Sequence, residues 1–494
     1  MIDREATHQQ LLSKLSAAGQ QHVLQFWDEL TPAEQDRLAE QVAALDLDLF
    51  IKLKQQYGRG TAGEREAAGD HRAHWAALAA RATSPPALRL DGSGVDFSEA
   101  AAIAQGEELL RSHQVGMILV AGGLGTRLGW DEPKGMFPIG PLSQRPLFQV
   151  IIESLLAARG KYQTAIPLYI MTSPATDRKT REFLAAHDHF GLPAADVHYF
   201  CQSTMFAVDD RWEKILLASK SELALAPDGH GGMLKAFVKS GCLADCARRG
   251  LTTLFYGQID NPLLQVCSPL LLGSHQLSRS ELTTQVVRKR QPLEKVGLLV
   301  AADGKVQMIE YSDLPEANAR ESLPDGSLKF WAGNLAVHVF DVSLLVRAAA
   351  DADSLPFHIA HKKTPHIDDR GERIEPDKPN AYRFERFIFD LLHVAERALV
   401  VEADPAEAFA PVKNSDQEPT DNPRLAKQAI MALHRRWLRA AGVSVNDDVA
   451  VEINPLFVSA VADLTEKLAP GTVIEQPTYF TSQGPRVVKA EAVR

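Results

Sequence analysis

Three glycines and two cations share one short stretch of the chain. Gly122, Gly123 and Gly125 lead into Thr126 and Arg127, and Lys134 follows in Pro133-Lys134-Gly135. Glycine lets bare backbone approach a ligand, and successive amide N–H groups can shape an anion-binding concavity. Arg127 supplies a planar fork and Lys134 a compact point charge, two complementary ways to hold phosphate. The set reads as a phosphate cradle that works on a nucleoside triphosphate. It is neither of two familiar phosphate loops. From Gly123 and Gly125 the third glycine of a dinucleotide fingerprint would fall on Leu128. A Walker loop would need Gly-Lys-Ser/Thr where Pro133-Lys134-Gly135-Met136 stands.

Such a cradle must hang from a strand end. The run Met117-Ile118-Leu119-Val120-Ala121 just before it is apolar and short enough to be a buried strand. Strands are expected over Gly116–Ala121, Ile166–Met171, Val197–Phe200, Leu251–Gln258 and Thr283–Val287. Helices are expected over Leu147–Ala158, Thr176–Phe190, Met233–Ala247 and Phe384–Ala398. The alternation implies an α/β fold around a largely parallel sheet, with the ligand at the carboxyl edge of its strands. Residues 1–86 read as a helical N-terminal region. Thr31-Pro32-Ala33-Glu34 restarts a helix there with a capping box, the stretch from Gly58 to Thr83 is a connector with some helix, and Ser84-Pro85-Pro86 ends it. Residues 87–400 form the catalytic domain. Residues 401–494 form a small α+β C-terminal domain with a helix over Leu425–Ala441, a strand over Val449–Ile453 and a tail of short strands and turns from Pro470.

Composition narrows the class. The chain has 494 residues, 45% hydrophobic and 23% charged, ordinary values for a globular protein. A formal charge of −10 argues against nucleic acid or anionic membrane as a partner, so any positive site must be built locally. Met1-Ile2-Asp3-Arg4-Glu5 lacks the apolar segment of a secretory signal, and no run is long and apolar enough to span a bilayer. Cys201, Cys242, Cys246 and Cys267 form no CxxC pair. A cytoplasmic protein with reduced thiols is expected.

The segment from Leu119 to Gly129, followed by Pro133-Lys134-Gly135-Met136, resembles the nucleotide loop of eukaryotic-type UDP-N-acetylhexosamine pyrophosphorylases. UDP-sugar pyrophosphorylases related to UDP-glucose pyrophosphorylase have a similar loop, but the Pro-Lys-Gly-Met ending is closer to the N-acetylhexosamine branch. Further segments match in the family's order between Ala87 and Pro423: Ile166–Ser173, Ala226–Gly232, Asp260-Asn261-Pro262, Ile309–Ser312 and Ala332-Gly333-Asn334. Pro376–Asn380, Phe387-Ile388-Phe389-Asp390 and Pro411-Val412-Lys413-Asn414 complete the series, and the two chain ends match weakly.

The resemblance implies a Rossmann-like, GT-A-like nucleotidyltransferase domain with a mixed, mostly parallel sheet. It implies the reaction of UTP with an N-acetylhexosamine 1-phosphate to give UDP-sugar and pyrophosphate. N-acetylglucosamine is the first sugar and N-acetylgalactosamine the second. Phosphoryl centres of this kind need positioning and charge neutralisation rather than a covalent partner. By the same resemblance, Gly122, Gly123, Gly125 and Thr126 contact the nucleotide, while Gln202 and Gly229 read the uracil edge. Arg127, Lys134 and Lys413 act on the phosphates, and Asp260 holds Mg²⁺, with Mn²⁺ as an alternative. His230, Gly297, Glu310, Tyr311, Asn334, Phe387 and Phe389 form the sugar site.

One position departs from the pattern: His230 stands where the family has asparagine in Asp-Gly-Asn-Gly-Gly. Imidazole is bulkier and titrates near neutrality, which opens glucose or galactose 1-phosphate as the alternative sugar substrate. A different class of reading is a nucleotide-sugar sensor on a retired transferase fold. Retention of Arg127, Lys134, Asp260 and Lys413 together argues against it, since a sensor could shed its leaving-group and metal contacts.

Overall fold

The apolar run before the glycines becomes the middle of a wide sheet. The computed structural model describes residues 4–58, 75–351 and 354–488. Among them ten strands form the main sheet: Ala87–Leu88 (β1), Val115–Val120 (β2), Leu168–Thr172 (β3), Val197–Cys201 (β4), Thr253–Gln258 (β5), Leu282–Arg288 (β6), Leu298–Ala302 (β7), Lys305–Ile309 (β8), Ala332–Asp341 (β9) and Ala398–Glu402 (β10). Their order is β1-β10-β6-β9-β5-β2-β3-β4, with β7 on β9 and β8 on β7. β2 runs parallel to both its neighbours, β5 and β3, and β3 is parallel to β4. β10 is parallel to β1 and β6, whereas β9 is antiparallel to β5 and β6. The sheet is thus mixed and mostly parallel, as expected.

Val115, Met117, Ile118 and Leu119 are all 1% exposed or less, which is why β2 reads as a continuous apolar run rather than an alternating one. On one face of the sheet, Phe148, Ile151, Ile152 and Leu155 of helix Leu147–Tyr162 join Met117, Leu119, Leu168 and Ile170 in a single buried cluster. Because β3 and β5 flank β2 on opposite sides and run with it, their carboxyl ends share one edge with the glycine loop. That is the place where open α/β sheets take ligands.

Contacts gather into two compact units. One comprises Leu78–Gln202, Leu234–Ser354 and Phe389–Arg494 and contains the main sheet. The other comprises Met1–Ala77, Ser203–Met233 and Leu355–Ile388. These limits differ from the expected boundaries at 86 and 400. In the second unit Leu15, Trp27, Leu38, Val42 and Phe50 from the N-terminal helices pack with Phe206, Trp212 and Phe384, so that core is assembled from three distant pieces of chain. The helix Pro32–Ala44 begins with the expected Thr31/Glu34 capping box. The C-terminal segment belongs to the sheet unit. Its strand Val451–Ile453 places Glu452 so that the Leu142 and Ser143 amides donate to the carboxylate at 2.7 and 2.8 Å.

Three expected helices are corrected. Phe384–Ala398 is not one: Ala381–Glu385 is a strand paired with His358–Lys362, Leu391–Val394 is a single helical turn, and β10 begins at Ala398. Tyr382 and Phe384 alternate with polar neighbours, and the aromatic cluster of Phe384 with Phe206 and Trp212 fixes the extended form. Met233–Ala247 is split into Gly232–Lys239 and Cys242–Arg248, with Gly241 left-handed between them (φ 80°). The helix expected over Thr176–Phe190 ends at Ala186. Most of the expected connector, residues 59–74, lies outside the described residues, and residues 75–81 are helical. All four cysteines are free thiols. Among the described residues no helix is long and apolar enough to cross a membrane.

Candidate active site

The loop after β2 folds back on itself through its own main chain. The Gly125 amide donates to the Glu132 carbonyl (3.0 Å) and the Lys134 amide to the Gly123 carbonyl (3.0 Å). The Trp130 amide returns to the Gly125 carbonyl (3.1 Å). At Gly125 a Cβ would stand 2.8 Å from Trp130, so a side chain there would force the hairpin open. Ser173 at the end of β3 donates its hydroxyl to the Gly122 carbonyl (2.7 Å), tying loop to sheet. Gly123, Thr126 and Arg127 are left exposed at the rim. Lys134 is drawn inward to 9% exposure.

Asp260 sits just past β5, the other parallel neighbour of β2, and its carboxylate Oδ2 lies 3.7 Å from Lys134 Nζ. Burial pulls the Lys134 ammonium below the ordinary lysine range. Asp260 offsets part of that, and the nearby cations Arg127 and Lys413 push it further down. Lys413 arrives by a separate route. The Val412 amide donates to the Asp260 carbonyl (2.8 Å), while the Asn261 side chain donates to the Ala408 carbonyl (2.7 Å) and accepts from the Ala410 amide (3.1 Å). Three segments thus bring Arg127, Lys134, Asp260 and Lys413 to one edge of the sheet.

A second group lies in the same unit. The Asn334 amide donates to the Gly297 carbonyl (2.9 Å), and a Cβ on Gly297 would stand 3.3 Å from Glu310 Oε1. Gly297, Glu310 and Asn334 are therefore neighbours, with Tyr311 beside them and 49% exposed. Gln202 follows β4, buried, with its amide on the Thr172 carbonyl (2.8 Å). Phe389 is also buried in this unit.

Gly229, His230 and Phe387 belong to the other unit. Gly229 is left-handed (φ 79°), and a Cβ there would meet the Arg386 carbonyl at 2.3 Å. The Ile388 amide donates to His230 Nδ1 (3.2 Å), and the imidazole lies 5.3 Å from the Phe387 ring. With Nδ1 accepting, the neutral ring carries its proton on Nε2.

Sequence reasoning passed over two residues. Asn261 is the clamp that aligns the Asp260 turn with the 408–413 segment. Asp421 receives both the Lys413 and Asn414 amides on its carbonyl, at 2.7 and 3.0 Å. The available signal was a repeated tripeptide, since Asp421-Asn422-Pro423 duplicates Asp260-Asn261-Pro262. Burial pushes the Asp421 carboxyl upward, Lys413 opposes this, and Asp260 and Glu294 add to it.

The donor set suits one kind of metal. Among the described residues no three His, Cys, Asp or Glu side chains gather into a cage. Asp260 offers a hard carboxylate beside the glycine loop, which fits a small divalent cation completed by substrate oxygens and water.

The family model described as UTP–glucose-1-phosphate uridylyltransferase matches residues 91–458. The chain belongs to that family. It is 34% identical over 450 residues to UDP-N-acetylhexosamine pyrophosphorylase-like protein 1 of Xenopus tropicalis, covering 88% of this chain and 86% of that one. It is 34% identical over 368 residues to the UDP-N-acetylglucosamine pyrophosphorylase of Saccharomyces cerevisiae, covering 73% of this chain and 77% of that one. Among solved structures, the uridine diphosphate N-acetylglucosamine pyrophosphorylase from Trypanosoma brucei, bound to an inhibitor, superimposes with a TM-score of 0.79 at 24% identity. The match covers 96% of this chain and 99% of that one, so the fold is shared nearly end to end. The chain is an enzyme of the UTP:sugar-1-phosphate uridylyltransferase class, whose substrates are a nucleotide and a sugar phosphate and which generally uses a divalent metal.

Proposed function

We propose that this chain makes UDP-N-acetylglucosamine and pyrophosphate from UTP and N-acetylglucosamine 1-phosphate, and accepts N-acetylgalactosamine 1-phosphate as a second substrate. The observation that carries the reading is the convergence of Lys134 and Asp260, 3.7 Å apart, at the carboxyl end of adjacent parallel strands beside the glycine loop. In this reading a phosphate oxygen of the sugar 1-phosphate attacks the α-phosphorus of UTP in line. The bond from the α-phosphorus to the bridging oxygen breaks, and pyrophosphate leaves with both electrons. Amides of Gly122, Gly123, Gly125 and Thr126 contact the nucleotide, and Gln202 reads uracil. Arg127 grips the leaving β- and γ-phosphates bidentately. Lys134 meets the charge that grows around the α-phosphate, and Lys413 closes over the bridging oxygens. Asp260 would hold Mg²⁺, or Mn²⁺ in its place, and such a cation when bound neutralises phosphate oxygens. Gly297, Glu310, Tyr311 and Asn334 take the sugar, with Phe389 as a wall.

His230 supports a second reading with glucose or galactose 1-phosphate as acceptor, because with Nδ1 engaged by Ile388 the ring keeps one donor where asparagine offers both donor and acceptor. A panel of sugar 1-phosphates, scored by pyrophosphate release from UTP, separates the two. N-acetylglucosamine 1-phosphate should give the highest kcat/KM, and His230→Asn should raise it further. Turnover with glucose 1-phosphate alone would overturn the first reading in favour of the second.

A further inference from the structure

Lys413 stands on a loop that is closed on itself. Its own amide and that of Asn414 converge on one acceptor, the main-chain carbonyl of Asp421, at 2.7 and 3.0 Å. Asn414 Nδ2 donates to the Thr420 carbonyl (3.0 Å), and Asn422 Nδ2 donates to the Glu418 carbonyl (2.7 Å). Residues 413–422 therefore form a short loop whose two ends are pinned side by side.

The Asp421 carbonyl can face both amides because the residue is left-handed, with φ 55°. Asp and Asn tolerate that conformation better than other side chains, and residues held in it cluster at functional sites. One residue further on, Asn422 caps helix Pro423–Ala440 by accepting from the Leu425 amide (2.8 Å). The anchor is thus fastened to a helix, and the start of the Lys413 side chain is fixed with it.

The Asp421 side chain feels the same group of charges. It is half-buried and within electrostatic reach of Lys413, Asp260, Arg290 and Glu294. Lys134 in turn is within reach of Arg127, Lys413 and Asp260. Three cations held together before any phosphate arrives repel one another, and a lysine on a flexible stem is the one free to swing away. A second carboxylate beside Asp260 opposes that.

We propose that Asp421 is the positioning residue of Lys413: its carbonyl fixes the lysine main chain, and its carboxylate biases the ammonium toward the sheet edge until phosphate oxygens replace it. The proposal rests on the reading of Lys413 as a phosphate-binding group in uridylyl transfer. Asp421 needs no contact with either substrate; it acts through the lysine.

The test is steady-state pyrophosphate release by the full chain carrying Asp421→Asn, Asp421→Gly, Lys413→Ala, or Asp421→Asn with Lys413→Ala. Asparagine and glycine both accept a left-handed φ, so the carbonyl anchor survives while the carboxylate is lost. Both Asp421 variants should lose between about tenfold and a hundredfold in kcat, with KM for the sugar phosphate near wild type. Lys413→Ala should lose at least as much, and the double variant should be no slower than Lys413→Ala alone. Wild-type kcat in both Asp421 variants beside a slow Lys413→Ala overturns the positioning role alone, as does full additivity in the double variant. A collapsed unfolding transition with unchanged kcat per folded molecule makes Asp421 merely structural and also overturns it. Wild-type kcat in Lys413→Ala overturns the reading of Lys413, and the proposal falls with it.

Discussion

Lys134→Met should separate activity from stability. Lys134 is 9% exposed, and its ammonium stands 3.7 Å from the Asp260 carboxylate. At such a distance a unit charge pair is worth roughly 4 kcal/mol before desolvation, at an effective dielectric of about 20. A phosphate oxygen in the same position gains a comparable amount, but only the part that grows on the way to the transition state speeds the reaction. Loss of one preorganised donor of this kind costs about 3–4 kcal/mol, so kcat should fall about 10²- to 10³-fold. Stability should move the other way. Burial is the largest influence on Lys134, and it holds the ammonium below the ordinary lysine range. Between that lowered value and the ordinary one, the unfolded chain binds the proton more firmly than the folded one. Stability therefore rises with pH across that window, and at neutral pH the charge costs the fold. Methionine keeps an unbranched stem and removes the charge, so the urea unfolding midpoint should equal or exceed that of wild type. The same lowered value should bring the alkaline fall of wild-type kcat/KM to a lower pH than an ordinary lysine would give. Steady-state pyrophosphate release and equilibrium unfolding on the same preparations measure both effects. A kcat within about threefold of wild type, or a lower midpoint with activity per folded molecule intact, would refute the reasoning.

Asp260→Asn keeps the shape of the turn and removes the charge; kcat should fall strongly, and the Mg²⁺ concentration giving half-maximal rate should rise, as read from a metal titration of pyrophosphate release. Glu452→Gln addresses the attachment of the C-terminal strand. Glu452 is 0% exposed and accepts from the Leu142 and Ser143 amides, the Ser143 hydroxyl (2.6 Å) and Arg145 Nη2 (2.8 Å). Breaking such a buried pair costs about 3–5 kcal/mol, measurable as a lower urea midpoint. Burial pushes the Glu452 carboxyl up, but Arg145, Ser143 and Leu142 outweigh it and leave it below the ordinary glutamate range. Its stabilisation is then present above the unfolded value of about 4.3 and lost as pH falls through the folded one, so the variant should show a flatter acid limb of stability.

The glycine loop, its strand and the mostly parallel sheet were legible because each is a local pattern: an apolar run, three glycines, two cations. The Thr31/Glu34 capping box was legible for the same reason. The region from Phe384 to Ala398 was not. Phe384, Ile388, Leu391, Leu392 and Ala395 recur at helical spacing, yet the strand pairing with His358–Lys362 and the contact with Phe206 and Trp212 decide the conformation from far along the chain. The division into compact units was no more legible, since a core that joins Leu15 and Phe50 to Phe206 and Phe384 leaves no mark in any one segment. Asn261 and Asp421 escaped notice because their work is done by an amide side chain and a main-chain carbonyl, which any asparagine or aspartate could offer.

The chemistry is placed by topology more than by sequence spacing. Arg127 and Lys134 follow β2, and Asp260 follows β5; these strands are far apart in the chain but adjacent and parallel in the sheet. Two parallel neighbours must end at the same edge, so pairing alone delivers the cations and the carboxylate together. Lys413 has no strand to deliver it. It is brought in by the Asn261 clamp and by the Val412 amide on the Asp260 carbonyl, at 2.8 Å. A chain of net charge −10 can in this way hold three cations at one sheet edge. Burial above all, and after it Arg127 and Lys413, weaken the buried lysine's hold on its proton, and Asp260 limits the loss. Under the proposed reading, a triphosphate entering such an edge meets charge already gathered, with Lys134 already desolvated, a condition under which fixed cations act strongly on a transferring phosphoryl group.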